Sequence, residues 1–391
     1  MTKPQRKPIT LEPFAVAHAS AEHWGAAAKA CLDGLELARR SSPANIGFLY
    51  VTEGFAEDLG SILTFLRETT RIDCWVGAAA PGICADEWEF HGEALGVGGG
   101  LAVMAGTLPT DSFQPFALPD FRAYLRDNRR TGYAAALLHA DPRHPAVVGL
   151  AEEAADALPV TFGGLVASHG PEQQVAEGLA SGVFSGLLLS PEIEVVMGLS
   201  QGCSPIGPIH RVTDTADHLV VTLDGRRALD VLKSEAGDLI ARDLRRAAGY
   251  IHVGLPVPSL SLPHQTEIEG DYSVRSLMGV DPVTGRLAVA AAIEVGDPVI
   301  FVRRDANTAR ADLIRMAEDV KARLGGRTPL GAVFISCIAR GEHMFGEPGT
   351  ETALIREILE DLPVVGFYAN GEIAQGRLYG YTGVLAVLAA R

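Results

Sequence analysis

Three times along this chain a short apolar strand is followed by a polar loop, an amphipathic helix and a second strand that carries a glycine. The copies comprise residues 46–51, 59–67 and 73–79, then 134–139, 146–157 and 160–166, then 331–337, 351–359 and 364–368, with Gly77, Gly163 and Gly366 in the second strands. In the third copy Leu354, Ile355, Ile358 and Leu359 fall on one helical stripe, and Asp361-Leu362-Pro363 ends the helix. Strand–helix–strand crossovers are right-handed and make a parallel pair, with the functional loops at the strands' C-terminal ends. After each copy comes another hydrophobic strand, 101–105, 183–189 and 384–388, which can add antiparallel and make the sheets mixed. The pattern predicts an α/β protein with mixed β-sheets built from related βαβ units and covered by helices.

The chain has 391 residues, which suggests two domains, each large enough for its own core. Apolar content of 47% with 21% charged residues is that of a globular protein. A net charge of −15 without a basic stripe argues against nucleic acid and anionic membrane surfaces, since both demand clustered Lys and Arg. A small molecule or a protein is the expected partner. The five cysteines, Cys31, Cys74, Cys84, Cys203 and Cys337, form no CxxC pair and no zinc spacing. No run of about 18 apolar residues is present to span a bilayer, and the basic N-terminus lacks the apolar segment of a signal peptide. A cytoplasmic protein with reduced thiols and no cofactor is expected.

Between the copies the signals are local. Residues 1–13 read as a loose polar arm, and 21–38 as a helix stopped by Ser41-Ser42-Pro43. Pro81-Gly82-Ile83-Cys84 closes the first copy. Residues 194–199 form a short apolar run, and the two prolines in 200–208 argue against a regular element there. Residues 212–232 contain a strand, an Asp224-Gly225 hairpin turn and a helix start, and the domain boundary is placed near here. The segment 255–263, with three prolines, reads as a loop, 281–286 as a turn between strands, and 312–324 as a helix stopped by Gly325-Gly326.

The chemistry concentrates at the end of the third copy's strands, which carries Cys337, Arg340, Gly341, Asn370 and Glu372. A guanidinium grips a carboxylate bidentately and a carboxylate accepts from an ammonium, so Arg340 and Glu372 suit an amino-acid-like ligand. Cys337 lies three residues before Arg340, whose charge favours a thiolate; the opposing reading is a thiol that lines a pocket or fills space. Gly198-Leu199-Ser200-Gln201-Gly202 matches the nucleophile elbow of hydrolases, but Pro205 and Pro208 block the helix that an elbow needs. The glycines of 96–100 precede a strand rather than a helix, so they fail the dinucleotide context. His139, Asp141 and His144 fit a solvated strand-end turn better than a metal site. Trp24, Trp75 and Phe334 are assigned to the core.

Phe334-Ile335-Ser336-Cys337 with Arg340-Gly341, then Gly366-Phe367-Tyr368, Gly371-Glu372-Ile373 and Leu378-Tyr379-Gly380-Tyr381-Thr382, resembles the C-terminal half of FIST-domain proteins. Residues 47–51 with Trp75-Val76-Gly77 and Gly82-Ile83-Cys84 resemble the N-terminal half, and 200–208 with 221–232, Tyr272-Ser273-Val274-Arg275 with Asp281, and Arg303-Arg304-Asp305 also fit the family. The resemblance covers nearly the whole chain from about residue 20. It implies a FIST N-terminal domain over 20–220 and a FIST C-terminal domain over 221–391, acting as a small-ligand-binding sensory module. It extends the candidate ligand-binding set to Tyr368, Gly202, Cys203, Ser204, Arg275, Gly77 and Gly82. Ser204 stands where the family often has a basic residue, so no anion contact is expected from it. With no output segment attached, a signal would pass through a partner protein or through self-assembly. The resemblance implies an alternative as well, a haem-containing nitric-oxide sensor, for which His343 beside Met344 is the candidate ligand. A second alternative is an enzyme using Cys337 or Cys203 as nucleophile. Nothing resembles an F-box.

Overall fold

The computed structural model describes residues 10–91, 98–118, 132–166, 173–216, 219–237, 250–256 and 272–391. The chain is α/β and divides into two compact units that are not contiguous in sequence. One comprises the chain up to Ser200 with Leu313–Leu378 and Thr382–Arg391; the other comprises Gln201–Asp312 with Tyr379–Tyr381.

The first unit contains three six-stranded sheets, and each is built on one of the sequence copies. In the first sheet Ile46–Thr52 and Cys74–Ala80 run parallel, joined by the helix Leu59–Thr70. In the second, Ala135–Ala140 and Val160–Leu165 do so across Val147–Ala157, and in the third Pro329–Cys337 and Val364–Ala369 across Thr350–Ile358. The expected extra strands add antiparallel on one side: Gly99–Gly106, Phe184–Leu189 and Thr382–Ala390. Each of these is flanked by an edge strand, Ala15–Ala21, Phe113–Leu118 and Ile193–Gln201 respectively.

On the other side of each parallel pair the copies exchange hairpins in a cycle. Gly82–Ala85 with Trp88–His91, from the first copy, joins the third sheet; Gln174–Ala176 with Gly178–Ala180, from the second, joins the first; Glu372–Ala374 with Arg377–Tyr379, from the third, joins the second. The three hairpins use one device. A residue of positive φ, Asp86 (48°), Glu177 (63°) or Gln375 (47°), donates its backbone N–H to the carbonyl of Val364, Trp75 or Thr161 at 2.8, 2.9 and 2.8 Å. Each acceptor lies two residues before the repeated glycine. At Gly77, Gly163 and Gly366 a Cβ would stand 1.7, 1.9 and 1.7 Å from the carbonyl oxygens of Leu49, Leu138 and Phe334, so only glycine lets the parallel neighbour come this close.

The helices cover the outer faces: Leu59, Ile62 and Leu66 on the first sheet, Val147, Leu150 and Ala154 on the second, Leu354 and Ile355 on the third. Residues of the other faces meet at the centre of the unit, where Tyr50, His139 and Phe367, one from each sheet, lie with ring centroids 5.1–5.8 Å apart. Trp75 and Phe334 are buried and Trp24 packs partly buried against the first core.

The second unit is a closed antiparallel barrel, which no periodicity in the sequence announced. Its ring runs Pro298–Arg304, His210–Ala216, Leu219–Leu223, Leu287–Val289, Tyr272–Val280, Ile251–Pro256 and back to Pro298–Arg304. The helix Ala228–Ala236 packs Leu229 and Leu232 into the core with Val212, Val253 and Phe301. The Asp224-Gly225 turn and the 281–286 turn form as expected.

Several local expectations are corrected. Residues 15–21 form a strand, so the first helix is confined to Trp24–Gly34. Residues 82–85 are a strand rather than a closing turn. Cys203–Pro205 is also a strand, pairing with Val302–Arg304; at a sheet edge Pro205 costs no ladder hydrogen bond. The helix expected over 312–324 begins at Ala306. Residues 255 and 256 end a strand, while 257–263, 1–9 and 96–97 lie outside the described residues.

Candidate functional site

The third sheet's central strand ends at Cys337, and a turn in which Arg340 N donates to Cys337 O (2.8 Å) folds the chain back. Strand alternation sends Ser336 to the helix side and Ile335 and Cys337 to the other. Polar groups gather on both sides.

On the helix side Arg340, fully buried, is bound to the equally buried Glu351 through Nε (2.9 Å) and Nη2 (2.7 Å), both on Oε1. Glu351 Oε2 accepts from Ser336 Oγ (2.8 Å) and Gly341 N (3.0 Å). Arg340 Nη2 also donates to Ser200 Oγ (3.2 Å), and the guanidinium lies 5.4 Å from the Phe345 ring centroid. Four donors on one carboxylate make the pair self-sufficient, which is the condition under which a buried ion pair survives desolvation. Beside it, Glu89 from the exchanged hairpin accepts from His91 Nε2 (2.7 Å), Glu342 N (3.0 Å) and Gly349 N (2.8 Å). Burial alone would raise the Glu89 pKa, but these donors outweigh it and hold it below the usual carboxylate range. Gly341, at φ 56°, is required here, because a Cβ would stand 2.2 Å from Glu89 Oε1. The Tyr368 ring lies 4.5 Å from that of His91, whose Nδ1 is buried without a hydrogen-bond partner.

On the opposite side Glu372 is fully buried. Its Oε2 accepts from Thr382 Oγ1 (2.7 Å) and Thr382 N (3.2 Å), whereas Oε1 has no hydrogen-bond partner. Burial pushes its pKa up to about 8, against the Thr382 hydrogen bonds, the Arg340 charge and the Cys337 thiol, all of which favour the carboxylate.

The structure therefore brings Cys337, Arg340, Gly341, Tyr368, Gly371 and Glu372 to one strand end. Asn370 is there too but exposed, and Gly371 O accepts from Leu165 N (2.9 Å). Gly82 lies against His91, where a Cβ would stand 2.3 Å from Nδ1, and Gly77 serves strand approach in the first sheet. The remaining candidates belong to the barrel unit. Gly202 N donates to Tyr381 O (2.9 Å), Cys203 is buried with its carbonyl accepting from Tyr272 Oη (2.6 Å), Ser204 pairs with Arg303, and Arg275 donates to Val274 O (2.9 Å).

Ser200 lies inside the continuous strand Ile193–Gln201, buried and facing a cation, so the elbow motif is not an elbow. The solvated turn expected at His139, Asp141 and His144 does not hold for His139, which is buried in the core against Tyr50, while Asp141 pairs with Arg143; the described residues contain no group of three or more His, Cys, Asp or Glu arranged for a metal. His343 is exposed on the short helix Glu342–Phe345. Sequence reasoning passed over Glu351, Glu89 and Thr382. Glu351 had a signal: it stands at the i−3 and i−4 position to Leu354 and Ile355, a carboxylate on the apolar stripe. Thr382 stands in the motif that carries the resemblance, and Glu89 had no signal.

No helix among the described residues is long and apolar enough to cross a membrane. The uncharacterized protein Rv0628c of Mycobacterium tuberculosis is 29% identical over 378 residues, 93% of this chain and 95% of the relative. The uncharacterized protein Mb0898c of Mycobacterium bovis is 35% identical over 214 residues, 54% of each. The FIST N domain model matches residues 45–226 and the FIST C domain model residues 228–375. The chain belongs to the FIST family, with both domains in tandem, and so stands among sensory proteins of signal transduction.

Proposed function

We propose that this protein senses a small polar metabolite that it binds through an amino group, as on an amine or an amino acid, at the strand end around Glu372 and Cys337. The observation that carries the reading is Glu372 Oε1, a fully buried carboxylate oxygen with no partner. An N–H donor satisfies it, and an ammonium also compensates the charge that burial disfavours. Arg340 contributes by its field on Glu372 rather than by gripping the ligand, because Glu351 and Ser200 already hold its guanidinium. The ligand's carboxylate, where it has one, is then read by other groups or left outside. The output passes to a partner protein or to the assembly state of the chain in the cytoplasm.

Thermal shift against amines, amino acids and matched carboxylates tests this. A ligand at a hundred times its Kd stabilises by about 2.7 kcal/mol, and an amine or amino acid is expected to do so in the wild type and not in Glu372→Gln. A panel in which nothing shifts, or in which only carboxylates shift and do so equally in the variant, refutes the reading.

A further inference from the structure

The internal repeat gives Glu372 two counterparts. Parallel register sets Leu49 against Gly77, Leu138 against Gly163 and Phe334 against Gly366, so Tyr50, His139 and Ile335 are equivalent, beside Ala78, Gly164 and Phe367. The exchanged hairpins then place Gln174 next to Ala78, Glu372 next to Gly164 and Ile83 next to Phe367. One position in three seams is thus a carboxylate, a carboxamide and a hydrocarbon.

The carboxamide seam lies between the first and second sheets. Gln174 Nε2 reaches across to Gly182 O (3.4 Å), beside the strand Phe184–Leu189, as Glu372 reaches across to Thr382. Ser185 is the cross-strand partner of His139, so both side chains stand on one face, and His139 Nε2 meets Tyr50 Oη at 3.0 Å. Gln174, His139 and Ser185 are 3%, 0% and 0% exposed, and Gln174 Oε1, His139 Nδ1 and Ser185 Oγ have no hydrogen-bond partner. Buried polar atoms without partners are rare in native proteins, and three at one seam call for an occupant.

We propose that Gln174, His139 and Ser185 form a second internal binding site, which takes a small uncharged molecule carrying both a hydrogen-bond donor and an acceptor. Gln174 Oε1 only accepts, so the occupant donates; Ser185 Oγ does either, and His139 Nδ1 takes the role its tautomer leaves. None of the three side chains carries a charge to compensate an ion, because burial keeps His139 a neutral imidazole. A water molecule, which makes about three hydrogen bonds when buried, meets these terms, and so does a primary carboxamide.

Crystals of the full chain, soaked in acetamide or in sodium acetate of the same concentration, test the assignment, since the two probes share a shape and differ in charge. Density within hydrogen-bond distance of Gln174 Oε1 and Ser185 Oγ is expected in the unsoaked crystal. Its replacement by acetamide identifies a carboxamide site, its persistence a water site, and both support the proposal. The double variant Gln174→Leu/Ser185→Val should lose the density, whereas Glu372→Gln should keep it. Acetate in the seam, or no density there in the wild type, overturns the proposal whether or not the double variant folds.

Discussion

Glu372 makes the stability of the three-sheet unit depend on pH in a direction opposite to that of a salt-bridged carboxylate. Its pKa is raised by burial to about 8 in the folded chain, against 4.5 when exposed. Between those values the folded state holds a proton that the unfolded state has released, so the stabilisation is complete below the unfolded pKa and is lost as pH rises through the folded one. Integrated from pH 5 to pH 8, this one group removes on the order of 3–4 kcal/mol. Glu372→Gln retains an oxygen to accept from Thr382 and has nothing to titrate, so its stability should cross above that of the wild type as pH rises. All three tryptophans, Trp24, Trp75 and Trp88, belong to this unit, so urea titration followed by tryptophan fluorescence reads it without the barrel. The quantity is the difference between wild type and variant at each pH, in which other titrating groups cancel. Parallel curves, or a wild type that gains on the variant with rising pH, would refute the argument that burial outweighs the hydrogen bonds of this carboxylate.

Arg340→Met leaves Glu351 buried and uncompensated and should cost about 3–5 kcal/mol, while Arg340→Met/Glu351→Met should recover much of that loss in the same urea assay. Alanine at Gly77, Gly163 or Gly366 drives a Cβ into a backbone carbonyl and should cost about 1–3 kcal/mol at each; thermal unfolding that spares one of the three would break the equivalence of the copies. In the barrel, His210 lies between Asp224 and Glu235; burial works against its charge, but these two partners prevail and raise its pKa. The charged histidine therefore supports the fold below its unfolded pKa, and that support is lost as pH rises through the raised value. Amide exchange in Ala228–Ala236, corrected for intrinsic rates, should accelerate on the alkaline side in the wild type and stay flat in His210→Gln.

What the sequence disclosed follows the strength of the periodic signal. The three strand–helix–strand copies were legible because their strands are buried on both faces and their helices carry a clean stripe. The edge strand AVAHASA was not, since alanine has little strand preference and its pairing with Gly99–Gly106 supplies what propensity does not. The exchanged hairpins have strands of three or four residues, too short for alternation to register. Their partners lie in other copies, so nothing local could assign them. The barrel failed for a related reason: its ring is closed by pairing residues 251–254 with 300–303, a contact between distant segments. At the candidate site, Arg340 and Glu372 stood out in the sequence as residue types, and both are fully buried at the end of Pro329–Cys337. Their pairings were not legible: Glu351 shows as a carboxylate on an apolar stripe, but tertiary packing decides that it meets Arg340 and that Thr382 meets Glu372.

The repeat also explains how a fold can hold a fully buried carboxylate with one oxygen unpaired. Burial keeps this carboxyl protonated through neutral pH, its ionised form costs several kcal/mol in the interior, and a single core has little to set against that. Here one packing solution is realised three times, with the same glycine approach and the same hairpin clamp, and two of the seams are occupied by hydrocarbon or by an uncharged amide. The cost of Glu372 therefore falls on one seam of three, while the other two keep the sheets in register. On the function proposed above, relief of that cost by an incoming cation would be a local event at the end of Pro329–Cys337, and it would leave the shared architecture intact.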